Sequence, residues 1–319
     1  MYHYVRELEQ SRYPKIKALR PSEFEAQLTY LSRHYEFVRL EDCVAAIQGE
    51  AVLPLNAALL TFDDGYIDHF TTVFPLLVKR GIQGAFFPPV AAIQDREMLD
   101  VNKIHFVLAS APNYDALLAD VFESLDDLRP EFGYPDNEEL FSSFARAGRF
   151  DDAGVVFVKR LLQKGLPRAA RQAIVDRLFS KYVSVDAAAF AHELYMTPAQ
   201  LSMMADSGMF LGAHGVSHEW LGELSVEEQI AEVETSLTFL YEVGGEITDW
   251  AICYPYGSYN DTLLDVLRER GCRVGLTSRP DVATLSPGNA LTLPRLDTND
   301  FPKCASAGRA VWTQRVARR

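Results

Sequence analysis

An apolar run at Ala57–Phe62 stops at a polar cluster, a helical pattern follows from about Phe70 to Arg80, and a second apolar run spans Gly84–Val90. Apolar runs bounded in this way read as strands buried on both faces, and a strand, a helix and a strand in this succession pair in parallel. Gly81 can stop the intervening helix. The same rhythm resumes late in the chain. Met209–Ala213, Trp250–Tyr254 and Arg273–Thr277 read as strands, with Leu291–Leu293 as a short final one and Met1–Val5 as a short first one. Between them Ser225, with Glu228 three residues on, can open a helix running to about Val243, and Asn260 or Asp261 opens another that Gly271 ends. Ahead of the first long strand, Ser22–Tyr35 carries helical spacing, with Ser22 and Glu25 as a capping box, and a short helix starts near Glu41. The order predicts an α/β fold in which parallel strands form a barrel under outer helices, with active residues at the carboxyl ends of the strands.

From about Asp100 to Pro198 the strand signals vanish, while Asp115–Leu125, Asp152–Lys164 and Ala169–Tyr182 carry helical patterns. The expected organisation is therefore a barrel from residues 1–99 and 199–319, interrupted by a helical insertion at 100–198. The insertion leaves just after a strand end, so it is expected to form a wall or lid of the pocket. A net charge of -13 argues against nucleic acid or an anionic membrane surface as the main partner, because both are held by Lys and Arg neutralising phosphates. No apolar run is long enough to span a bilayer, and MYHYVRELEQSRYPK lacks the basic start and apolar stretch of a signal peptide, so a cytoplasmic location is expected. Cys43, Cys253, Cys272 and Cys304 form no CxxC pair, which favours reduced thiols over a thiolate metal site. The basic tail at 315–319 reads as a solvated end.

Three polar clusters each follow a different strand. Thr61-Phe62-Asp63-Asp64-Gly65 offers two carboxylates, one able to bind a metal and one to act as a base, although Asp also serves turns and helix caps. His214-Gly215-Val216-Ser217-His218 offers two imidazoles four residues apart, which face one ion if the segment is helical. Cys253-Tyr254-Pro255-Tyr256-Gly257 is a rigid turn whose amides could face a substrate oxygen, or a plain connection with aromatic packing. Together, one Asp and two His make a three-ligand set with room for water and substrate.

With these three motifs, in this order, the chain resembles the polysaccharide deacetylase family, the NodB-homology group also called carbohydrate esterase family four. The resemblance covers roughly 57–90 and 209–296, with the N-terminal MYH also typical. It implies a distorted (β/α) barrel, commonly of seven strands. It implies that Asp64, His214 and His218 bind a divalent metal, zinc first among several candidates. It further implies that Asp63 is the general base and that the backbone N–H of Tyr256 helps hold the oxyanion.

The chain departs from the family in its later motifs. Cys253 stands where an Arg usually orients the base, Leu293-Pro294-Arg295 stands where Leu-x-His usually supplies the acid, and the Asp-Trp of the fourth motif is missing around Thr277-Ser278. A guanidinium both orients a carboxylate and keeps it ionised. Arg295 is therefore expected to reach across and pair with Asp63, an alternative being a contact with an anionic substrate or Asp297. The acid role would then fall to the activated water, to Asp63 once protonated, or to His3. The expected activity is hydrolysis of an N-acyl group, acetyl first, from an amino sugar of an intracellular glycan precursor. The alternatives are a deformylase or other amide hydrolase on this scaffold, and a non-catalytic carbohydrate-binding protein. Self-association through the insertion is a further alternative.

Overall fold

Strand Leu60–Asp63 is buried at every position, its polar Thr61 and Asp63 included, and it is the second segment of a parallel ladder. The computed structural model describes residues 1–317, and Arg318 and Arg319 of the basic tail lie outside the described residues. On one side Phe62 bridges in parallel to Tyr2, and on the other Leu60–Asp63 pairs with Gly84–Phe87, which pairs with Phe210–Leu211. Ala213 then bridges to Ile252, strand Ala251–Cys253 pairs with Val274–Leu276, and Leu276 bridges to Leu293. The ladder therefore runs through seven parallel segments from Tyr2 to Leu293. Several links are single bridges, so this is a distorted (β/α) barrel and not a regular one. Because every pairing is parallel, the carboxyl ends of all these segments share one edge.

The outer face of the first strands is aromatic, with Phe62 stacked between Tyr2 and Phe86 at centroid distances of 5.2 and 4.7 Å and meeting Phe24 of the first helix edge-on. Outer helices follow the predicted punctuation. Ser225 caps Val226–Glu242 in a capping box with Glu228, and Asn260 caps Asp261–Glu269. Three local expectations are corrected. The first helix begins at Pro21, with Arg20 rather than Ser22 at its N-cap and Glu23 accepting the Arg20 N–H, because proline is pre-shaped for the first helical position. The run at Ala57–Phe62 splits, with Ala57–Ala58 pairing with Glu36–Phe37 before the main strand begins at Leu60. Ala290–Thr292 is a tight helical turn, and only Leu293 joins the ladder.

The chain divides into two compact units, one of Met1–Glu7, Ala18–Arg96 and His192–Arg319, the other of Leu8–Lys17 and Glu97–Ala191. The boundaries differ from those read off the sequence, since Leu8–Lys17 groups with the helical segment and His192–Pro198 with the strands. Within the second unit, helices Asp100–Ser110, Tyr114–Phe132 and Arg168–Tyr182 are joined by shorter ones, and Phe106, Phe179 and Phe190 form an aromatic cluster with Tyr13. Of the described helices, none is long and apolar enough to cross a membrane.

Candidate metal centre and active site

Asp63 is the last residue of its strand and Asp64 the first beyond it. Asp64 adopts the left-handed conformation, with φ 74°, and Gly65 follows at φ 67°. A side chain on Gly65 would meet Ile93 Cδ1 at 2.9 Å and Pro88 Cβ at 3.0 Å, so the DDG turn needs glycine for space as well as for φ. Two successive left-handed residues reverse the chain sharply and bring both carboxylates to the strand edge. Among the described residues four non-glycine positions have positive φ, and three of them are Asp64, His218 and Tyr256, one from each motif. Such conformations cost about 1–3 kcal/mol each and persist where the surroundings over-determine them.

The two histidines do not sit on a helix, contrary to the condition attached to their spacing. Residues 214–218 form a loop in which Gly215 has φ 69° and His218 has φ 58°. The Gly215 and Val216 carbonyls accept the N–H groups of Val90 and Ala91, and Glu232 accepts the Val216 N–H at 2.5 Å. Held this way, His214 Nε2 and His218 Nε2 each lie 3.3 Å from the same Asp64 oxygen, Oδ1. That oxygen is buried and has no hydrogen-bond partner. One carboxylate oxygen and two imidazole nitrogens thus converge within 4.8 Å of one another.

Their other atoms are committed elsewhere. The Asp64 Oδ2 accepts the Tyr66 hydroxyl at 2.6 Å, and His214 Nδ1–H donates to the Cys253 carbonyl at 2.6 Å, which leaves Nε2 as the basic nitrogen. This donor set fits a divalent metal of borderline softness with open positions for other ligands. Asp63, His214 and Cys253 are also close enough to share an ion. That set fits poorly, because Asp63 and the Cys253 sulfur are both already engaged by a guanidinium.

That guanidinium belongs to Arg295. Its Nη1 and Nη2 bond to the two Asp63 oxygens at 2.9 and 2.8 Å. Its remaining donors go to Thr61 Oγ1 at 3.1 Å, the Thr277 carbonyl at 3.0 Å and Cys253 Sγ at 2.9 Å. All five N–H groups of a buried arginine are therefore used. Burial opposes the charge on Asp63, but the Arg295 charge and the paired bonds outweigh it and hold the carboxyl well below its usual range. Burial keeps the Cys253 thiol raised despite Arg295, so its S–H remains available to Asp63 Oδ2 at 3.4 Å. No contact with Asp297 is needed to satisfy Arg295.

His3 emerges from the first barrel segment with Nε2 3.9 Å from Asp63 Oδ2, and its side chain is 37% exposed where that of Asp63 is 3%. Its carbonyl accepts from the Nε2 of His69, which burial pushes down to about 4 and so keeps neutral. Tyr256, in the Pro255–Gly257 turn, has φ 57° and its carbonyl accepts the Ser278 hydroxyl at 3.1 Å. Sequence reasoning missed Tyr66, which carries no motif signal beyond lying two residues after Asp64. It is stacked on Tyr4 at 4.0 Å, and Arg6 lies over the Tyr4 ring while pairing with buried Asp68 at 2.7 Å. Asp68 thus braces the wall behind Asp64.

The family model described as Polysaccharide deacetylase matches residues 167–275, a stretch containing both histidines and the Pro255–Gly257 turn. Over that stretch the chain is similar to the polysaccharide deacetylases. YxkH of Bacillus subtilis, whose name places it in that group, is 28% identical over 97 residues, covering 30% of this chain. The chain spans about a third of that relative's length, 34%. In fold it is similar to the Streptococcus pyogenes deacetylase PplD, solved in complex with acetate, at TM-score 0.54 and 18% identity over 92% of this chain and 88% of that one. It is likewise similar to IcaB from Ammonifex degensii, at TM-score 0.54 and 19% identity over 98% of this chain and 94% of that one.

Proposed function

We propose that the chain is a metal-dependent hydrolase that removes an N-acyl group, acetyl in the first instance, from an amino sugar. The observation that carries this reading is the pairing of two functions on one barrel edge. A three-ligand donor set of Asp64, His214 and His218 lies beside a carboxylate, Asp63, whose two oxygens are both taken by the Arg295 guanidinium. A carbohydrate-binding protein would have no use for the second feature.

A divalent ion such as zinc, bound there, would polarise the amide carbonyl and activate water. The protein's own groups supply the rest. Asp63 accepts the proton of the attacking water, and Arg295 fixes the direction in which its oxygens point. The Tyr256 N–H donates to the developing oxyanion, the left-handed turn presenting it and Ser278 steadying it. The leaving nitrogen must gain a proton. His3 is placed to give it, being next to Asp63 yet partly exposed on the substrate side. Asp63 can return the proton it has accepted to the same nitrogen.

The test is acetate release from N-acetylated glucosamine oligomers by zinc-loaded protein, compared with formate release from the N-formyl analogues. Acetate release that Asp63→Asn abolishes supports the reading. Formate release alone would move the activity to the deformylase alternative.

A further inference from the structure

Beyond His218 the site carries a second aromatic layer that none of the catalytic roles uses. The Tyr256 ring meets the His218 imidazole edge-on at 4.6 Å, and the Trp220 indole lies flat against Tyr256, 4.6 Å away with only 9° between planes. The indole is therefore one ring further from the metal-binding imidazole than Tyr256. Both aromatic residues are partly exposed, whereas Trp250 is fully buried in the core.

The loops bearing this pair are locked together without its help. The Gly222 N–H donates to Ser258 Oγ at 3.2 Å, and Asn260 Nδ2 donates to the Gly222 carbonyl at 2.9 Å. Gln229 Nε2 joins the Leu221 carbonyl at 2.9 Å to Asn260 Oδ1 at 3.1 Å. Gly222 packs so closely that a Cβ there would lie 2.7 Å from the backbone of Tyr259. A large indole is not required to hold a connection already fixed by hydrogen bonds and backbone contact. It is instead a rigid plate whose ordering is complete before any ligand arrives.

We infer that Trp220, backed by Tyr256, is a sugar-stacking platform that receives the pyranose unit next to the one losing its acyl group, so that the enzyme prefers an oligomeric substrate. This rests on the deacylase reading of the adjacent site. A pyranose presents a face of C–H groups with slight positive charge, which complements the electron-rich face of an indole, and its hydroxyls stay in water at the ring edge. A sugar whose acetamide reaches the metal centre extends its next unit outward, where the second aromatic layer stands. Trp220 is in this account a specificity residue and takes no part in bond breaking.

The experiment uses zinc-loaded full-length protein and two substrates, a tetramer of N-acetylglucosamine and the aryl ester 4-nitrophenyl acetate, which needs the same centre but has no sugar. Aromatic contacts of this kind are worth about 0.5–1.5 kcal/mol, equivalent to about two- to twelvefold. Trp220→Ala should lower kcat/KM for the tetramer relative to the ester by about that factor, mainly through KM, and Trp220→Phe should restore most of it. Tetramer added to the Asp63→Asn protein should perturb tryptophan emission, and the perturbation should vanish when Trp220→Ala is added. An equal loss on both substrates, or a tetramer KM that does not move, would overturn the platform. If the wild type cleaves neither substrate, the deacylase reading fails, and the emission titration decides separately whether the plate binds sugar.

Discussion

Replacing Arg295 with methionine keeps the apolar stem and removes five buried hydrogen bonds, two of them to Asp63. The carboxylate is then left in a buried site with a weak thiol contact at 3.4 Å and an imidazole at 3.9 Å. Breaking a buried ion pair from one side typically costs about 3–5 kcal/mol. Asp63 can escape part of that cost by taking up a proton, since burial now acts without the opposing guanidinium. The sign follows directly. In the wild type the depressed Asp63 pKa stabilises the fold above the ordinary carboxylate range, and that contribution is lost as pH falls through the depressed folded value. In Arg295→Met the folded pKa rises, so the contribution disappears and the acidic limb of kcat/KM moves to higher pH. Urea denaturation and pH–rate profiles measure both effects. At pH 7 the variant should lose several kcal/mol of stability or about 10²–10⁴ in turnover, the range expected when a general base is disabled. A variant with unchanged stability and an unmoved acidic limb would refute the role given to Arg295.

Other outcomes follow from single contacts. Tyr66→Phe removes the hydroxyl that bonds Asp64 Oδ2 and should weaken zinc binding by about 10- to 100-fold without unfolding the protein, as a competition titration with a chromogenic chelator would show. In Gly257→Ala the new Cβ would lie 2.3 Å from Ser278 Oγ at φ 71°, so thermal unfolding should reveal a loss of about 1–3 kcal/mol, with a fall in turnover as Tyr256 shifts. Cys253→Arg placed in an Arg295→Ala background returns a guanidinium to Asp63 from the family's usual position, and should recover part of the turnover that Arg295→Ala alone loses.

Much of the site was legible because its chemistry lies in short segments at strand ends. Asp63-Asp64-Gly65, His214 to His218 and the Pro255–Gly257 turn were each readable as polar clusters after apolar runs, and the parallel ladder places them on one edge. The Arg295 contact was suggested by the resemblance, which puts a base-orienting arginine where Cys253 stands, with an anionic substrate group or Asp297 as the alternative partner. The geometry of the histidines was not readable. An i, i+4 spacing suggests a helix, whereas a loop with two left-handed residues performs the convergence, and backbone φ leaves no mark on a His-x-x-x-His pattern. Tyr66 and Trp220 were missed for a related reason, because stacking across elements produces no local periodicity. Strand limits were overestimated at Leu291–Leu293, where apolar residues serve a tight turn against the barrel.

The central claim is that Asp64, His214 and His218 hold one divalent ion that Asp63 does not help to bind. Its most direct test is zinc stoichiometry by mass spectrometry on the intact protein and its variants, with acetate release from N-acetylglucosamine oligomers followed on the same samples. The account predicts one zinc per chain in the wild type and in Asp63→Asn, with acetate released only by the wild type, and neither zinc nor acetate release in Asp64→Ala. Full zinc occupancy in Asp64→Ala, or undiminished acetate release by Asp63→Asn, would contradict it.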